Sequence, residues 1–105
     1  LKRFSRIDDI VEMLKNEPSD LFLNYALGIE YVSKFNFVNA EIQFKKTLEI
    51  DKNHIPSYYQ LGKLFEMQQK NQEALDYFYS GLKKAKEQKN NKAINEFGEA
   101  IFLLE

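Results

Sequence analysis

Leu27-Gly28-Ile29-Glu30-Tyr31, followed by Ala40, Phe44 and Leu48, returns as Leu61-Gly62-Lys63-Leu64-Phe65, followed by Ala74, Phe78 and Leu82. Each matched position lies 34 residues after its counterpart (61 − 27, 78 − 44). Self-similarity at a fixed period of about 20–50 residues is the signature of a stacked repeat protein, whose single unit cannot bury its apolar face alone. That period decides the fold before any side chain's chemistry is considered.

The repeated unit reads as a pair of helices. Before it, Ile7, Ile10, Val11 and Leu14 follow the i, i+3, i+4, i+7 rule of a helix with one buried stripe, predicted from Phe4 to Asn16 within residues 4–17. Ser5-Arg6-Ile7-Asp8 offers a capping box at its start, and Pro18 marks its end. Ser19 or Asp20 caps the next helix, which runs to about Lys34. A turn near Asn36 leads into a helix carrying Val38, Ala40, Ile42, Phe44, Leu48 and Ile50. Pro56 suits the first turn of another, which stops near Gln68. Asn71 opens the fifth, and Asn90 or Asn91 caps the sixth, with Ile94, Phe97, Ile101 and Leu104 on one face. Six short helices without a strand signal predict an all-α chain.

Gly28 and Gly62 fall inside helices, where glycine costs about 0.8–1.0 kcal/mol relative to alanine. Close packing must offset that penalty. The expected arrangement sets Ala40 and Ala74 opposite the glycines, with Phe44 and Phe78 filling the space between one helix pair and the next. Isolated helices shorter than about 12–15 residues are marginal, so each pair holds only through its neighbours.

Composition narrows the function. At 105 residues, 44% hydrophobic and 14% aromatic, the chain supports one core, and a single domain over residues 1–105 is expected. Fifteen basic against 16 acidic residues give a net charge of −1, which supplies no general pull toward phosphate backbones or anionic lipid. The expected partner is therefore a protein or peptide, with neither nucleic acid nor membrane. With zero cysteines there are no disulfides or thiolate ligands, and a cytoplasmic location is expected. His54 is the only histidine and falls in a predicted loop, where it reads as a surface residue. No nucleophile stands beside a base, no glycine-rich phosphate loop occurs and no cluster has metal spacing. The expectation is a non-enzyme without catalytic residues, cofactor or metal. Asp8, Asp9 and Glu99 read as solvated helix faces.

The run Leu27-Gly28, Tyr31, Ala40, Phe44 and its copy Leu61-Gly62, Phe65, Ala74, Phe78 resembles the tetratricopeptide repeat consensus. The resemblance implies a right-handed helix-turn-helix solenoid. Two full repeats, 21–54 and 55–88, are flanked by an N-terminal half-repeat helix and a C-terminal capping helix over 90–105. Pro18 falls where the proline closing a preceding repeat belongs, and Leu14 matches Leu48 and Leu82. Departures are Asn24 at the first large position, Lys52 and Lys86 at the closing prolines, and Asn95-Glu96 at the third Leu-Gly place.

The family generally binds proteins on the concave surface made by the first helix of each pair. That implies a groove of Phe22, Tyr25, Ile29 and Val32 from the first repeat and Tyr59, Lys63, Glu66 and Met67 from the second. In the first set two readings stand side by side: an open binding surface, or packing against the N-terminal helix. The family's carboxylate clamp for acidic chaperone tails maps to Tyr25, Ile29, Gln60, Asn90 and Ile94, which lack the required charges. No binding of that type is expected. Two alternatives remain. One is a self-associating, homo-oligomeric structural module. The other is a weak RNA or acidic-partner contact through Lys83, Lys84, Lys86, Lys89 and Lys92, a stretch read as lacking interleaved aromatics.

Overall fold

The computed structural model describes residues 5–105. Within them lie six helices and no strand: α1 (Arg6–Asn16), α2 (Leu21–Ser33), α3 (Phe37–Ile50), α4 (Ile55–Met67), α5 (Asn71–Glu87) and α6 (Asn91–Leu104). The chain divides into two compact units, Leu1–Lys52 and Asn53–Glu105, so the boundary falls next to the expected start of the second repeat. The first holds α1 to α3, the second α4 to α6.

Helix ends follow local chemistry. The capping box is present, with Asp8 N–H donating to Ser5 Oγ and Ser5 N–H to Asp8 Oδ2, each at 3.1 Å. The expected start at Phe4 lies outside the described residues. Asp20, rather than Ser19, caps α2 by accepting from Leu23 N–H at 2.8 Å. Asn36 accepts from Asn39 N–H at the start of α3, and Asn90 from Ala93 N–H at the start of α6. Helix α4 starts without a side-chain cap, with Pro56 in its first turn. There His54 Nδ1 lies 2.7 Å from Ser57 Oγ, so this histidine is half-buried and engaged rather than a plain surface residue.

Two of the helix pairs turn by the same device. Phe35 and Gln69, 34 residues apart, both adopt φ of 60°, and Lys89 adopts 55° after α5. Beyond them the amide of Asn36 reaches back to Tyr31 O, that of Lys70 to Phe65 O, and that of Asn90 to Ala85 O, each at 2.9 Å. These are the long bonds of a Schellman motif, which satisfies the last carbonyls of the helix and reverses the chain. None of the three left-handed residues is glycine.

In the first unit Ile10, Leu27, Ala40 and Phe44 are buried, with the Tyr25 ring 5.5 Å from that of Phe44. Asn24 is fully buried where the second repeat has Tyr58. Its amide donates to Pro18 O at 3.0 Å and Asp20 O at 2.8 Å, fastening the turn before α2, while its Oδ1 has no protein partner. In the second unit Phe78 is fully buried, its ring 5.8 Å from Tyr59 and 6.4 Å from Phe97 of α6. Gln88 Nε2 donates to Asn53 O at 2.8 Å, tying the end of α5 to the loop before α4.

The glycines are notches, but the alanines do not occupy them. A Cβ placed on Gly28 would stand 2.5 Å from Phe44 Cε1, and one on Gly62 would stand 2.5 Å from Phe78 Cδ1. The aromatic four residues after each alanine fills the notch, while Ala40 and Ala74, both fully buried, are enclosed elsewhere. A third contact of this kind joins Gly81 of α5 to Phe97, with a Cβ there 2.5 Å from Phe97 Cε1 and 2.9 Å from Tyr58 Cβ.

Helix α6 packs on α5, in an unexpected register. Its buried residues Ala93, Phe97, Ala100 and Ile101 lie 36 residues after Ser57, Leu61, Leu64 and Phe65 of α4 (97 − 61, 101 − 65). Helix α5 has 17 residues where α3 has 14, which delays the start of α6. The Leu-Gly place is thus taken by Phe97-Gly98 and not by Asn95-Glu96.

Candidate functional site

The side chains of α4 and α6 enclose a hollow of about 250 Å³, lined by Tyr59, Lys63, Glu66, Glu96, Glu99, Ala100 and Leu103. The 3.6-residue helical period puts Tyr59, Lys63 and Glu66 on one face of α4, and Glu96, Glu99 and Leu103 on one face of α6. Tyr59 is fixed from below, its ring 5.8 Å from Phe78 and 5.7 Å from Phe97. Above it the Lys63 ammonium stands 6.0 Å from the ring centre and 3.5 Å from Glu66 Oε1. The floor is apolar and the rim carries one cation against three carboxylates.

Three of the four expected second-repeat residues thus come together. Met67 is exposed and stands outside the lining. Glu96, Glu99, Ala100 and Leu103 were missed. Glu99 remains exposed but borders the hollow instead of plain solvent. The i, i+3, i+7 spacing of Glu96, Glu99 and Leu103 was the available signal.

In the first unit the expected residues sit on α2. Phe22 is 75% exposed, while Tyr25, Ile29 and Val32 are half-buried. Helix α1 lies on another side of α2, where Arg6 pairs with Glu30 at 2.6 Å and Met13, Asn16, Glu17 and Leu23 line a hollow of about 280 Å³. The Phe22 side chain is therefore not covered by α1.

The register of α6 also moves the last two clamp positions from Asn90 and Ile94 to Lys92 and Glu96. Asn90 is the cap of α6 and Ile94 packs against the core of its unit. The shift brings a cation, Lys92, to the fourth of these positions and a carboxylate, Glu96, to the fifth. Of the C-terminal lysines, Lys83 and Lys86 line a shallow hollow of about 400 Å³ with Tyr79, Leu82 and Glu87, and Lys84 lies 3.7 Å from Glu87. Tyr79, outside the 83–92 stretch, places an aromatic beside Lys83 and Lys86. Its phenol donates to Glu105 Oε2 at 2.9 Å, and that hydrogen bond raises its pKa above the ordinary 10.0. Among the described residues no group of three His, Cys, Asp or Glu side chains is placed to hold a metal, and no helix is long and apolar enough to cross a membrane.

Paired helices stacked in repeated register define a helical-repeat protein. No family model matches the chain, and no curated protein matches its sequence. Among solved structures it is similar to a tetratricopeptide repeat domain protein from Salinibacter ruber, at 31% identity and TM-score 0.79 over 85% of this chain and 90% of that one. The chain belongs to the tetratricopeptide repeat family. It shares its fold with the TPR2B domain of yeast Sti1, solved in complex with pHsp70, at 18% identity and TM-score 0.85 over 93% and 78% of the two chains. It also shares it with the first TPR of Spaghetti bound to the HSP90 peptide SRMEEVD, at 22% identity and TM-score 0.73 over 89% and 72%.

Proposed function

We propose that the protein is a non-catalytic interaction module that holds a peptide segment of another protein against α4 and α6. The observation that carries this reading is the hollow itself, an aromatic and aliphatic floor rimmed by Lys63, Glu66, Glu96 and Glu99. Such a floor anchors an apolar side chain, and the excess of carboxylate favours a cationic neighbour. Phe22, Tyr25, Ile29 and Val32 serve the same purpose in the first unit. The first TPR of Spaghetti, a solved structure that shares this fold, is bound to an HSP90 peptide, which supports a peptide as ligand. An acidic tail is the wrong ligand here, because it would bring carboxylates against Glu96 and Glu99.

Two synthetic peptides test the proposal: SRMEEVD, and SRMKKVK, in which lysine replaces each acidic residue. Backbone amide shifts are followed by NMR as each is added at low salt. The basic peptide should move resonances of Tyr59, Glu96, Glu99 and Leu103, and Glu96→Lys with Glu99→Lys should reverse the preference. Tighter binding of the acidic peptide, or shifts confined to other helices, would sink the idea.

A further inference from the structure

Lys63 is a cation already resting on the aromatic floor of the hollow. Its ammonium stands 6.0 Å from the Tyr59 ring centre and 3.5 Å from Glu66 Oε1, with 44% of the lysine side chain exposed. The first distance is at the outer limit for attraction of a cation by a ring face, and the second exceeds the about 2.7–2.9 Å of a charge-assisted hydrogen bond. Lys63 is therefore held weakly. The residue 34 positions earlier is Ile29, so the repeat itself requires no cation at this place. Across the hollow Glu96 and Glu99 line the α6 side, and among the described residues neither has an ion-pair partner.

We propose that the anchor of the bound peptide is an arginine whose guanidinium replaces the Lys63 ammonium on the Tyr59 ring; this assignment rests on the hollow being the peptide site. A guanidinium is planar, stacks on an aromatic face and carries five donors in a fixed fork. Lying on Tyr59, it has donors to spare for Glu66 on α4 and for the carboxylates of α6. An ammonium is a compact, strongly hydrated point charge, and on Tyr59 it would do no more than Lys63 already does. Exchange thus gains little for a lysine, whereas an arginine brings Glu96 and Glu99 into play. Displacing Lys63 costs little, because a half-exposed ion pair of this length contributes little. Lys63 is then the specificity-determining residue of the hollow, a resident cation that only a better one dislodges.

The test adds two peptides of equal charge, SRMRRVR and SKMKKVK, to the 105-residue chain at low salt, with affinities from isothermal titration and contacts from NMR. The arginine peptide should bind at least roughly threefold more tightly. Nuclear Overhauser contacts should appear between arginine Hδ and the Tyr59 ring, while those from Lys63 Hε to that ring disappear. Lys63→Ala should tighten binding of both peptides by about two- to fivefold, since no resident cation is left to displace. Far-ultraviolet circular dichroism checks that this variant is folded. Equal affinity for the two peptides, Lys63 contacts that persist in the complex, or weaker binding to Lys63→Ala would overturn the proposal while leaving the hollow a peptide site. If neither peptide moves the resonances of Tyr59, Glu96 or Glu99, the hollow is no peptide site and the arginine anchor falls with it.

Discussion

The ring of Phe78 lies so close to Gly62 that a Cβ built on the glycine would stand 2.5 Å from Phe78 Cδ1 and 2.8 Å from Cζ. Phe78 is fully buried, so its ring has no open side toward which to withdraw. Gly62→Ala gains about 0.8–1.0 kcal/mol of helix propensity. It also overpacks a filled core, at a cost of about 1–3 kcal/mol. The net expectation is a loss of about 1 kcal/mol, with Gly28→Ala behaving alike beneath Phe44. Gly98→Ala should have the opposite sign and stabilise by up to about 1 kcal/mol, because nothing occupies that space. Urea midpoints for the three variants at low protein concentration check the reversal, and a stabilised Gly62→Ala would contradict the notch.

What the sequence revealed was what repeats. The 34-residue period, the turn at Asn36 and the paired glycines are local or periodic signals that the structure bears out, and of the open cap choices Asp20 and Asn90 are the residues used. The register of α6 escaped because the longer α5 shifts Phe97-Gly98 out of phase, and a fixed period is blind to such a shift. The notch partners escaped for another reason: spacing along a chain shows that a glycine needs a close neighbour, not which neighbour arrives. Half of the hollow was equally hidden, since Glu96 and Glu99 look like any solvated helical face until α6 is set beside α4.

Phe35 holds a left-handed backbone, φ 60°, with its side chain 81% exposed. That conformation costs an L-residue roughly 1–2 kcal/mol, whereas glycine adopts it freely. The ring's edge-on contact with Phe37, centroids 6.2 Å apart, offsets part of the strain. Phe35→Gly should therefore stabilise the first unit by about 0.5–1 kcal/mol, and Gln69→Gly should do the same in the second. Thermal unfolding measures both, and a lowered midpoint would show that the side chains at these turns contribute more than the backbone strain.

Asp20 is the one acidic cap that accepts a 2.8 Å bond at the start of α2, and it sits beside the buried Asn24 that fastens the same turn. Asp20→Ala should cost about 1 kcal/mol. Asn24→Leu removes the side-chain donor to Pro18 O and Asp20 O; the residue-24 backbone amide still serves Asp20 O at 3.1 Å, so Pro18 O is the carbonyl that loses its buried partner, at a cost of about 1–3 kcal/mol. The two effects should not add, because both residues hold one turn. A double variant whose loss equals the sum of the two singles would separate the cap from the turn.

Tyr59 stands in two roles that a careless substitution would confuse. Its ring supports Phe78 and Phe97 at 5.8 and 5.7 Å, while its upper side meets the Lys63 ammonium in the hollow. Tyr59→Ala should lower stability by about 2–4 kcal/mol, since truncating a packed aromatic leaves a void between two other rings. Loss of a partner in that variant would report on folding rather than recognition. Tyr59→Phe keeps the ring and should leave the urea midpoint within about 0.5 kcal/mol of the original. Lys63→Glu alters the charge of the hollow above an intact floor, so it should strengthen binding of the basic peptide while sparing stability. Isothermal titration alongside urea unfolding separates these cases, and a Tyr59→Ala protein as stable as its parent would show that the three-ring cluster contributes little to the second unit.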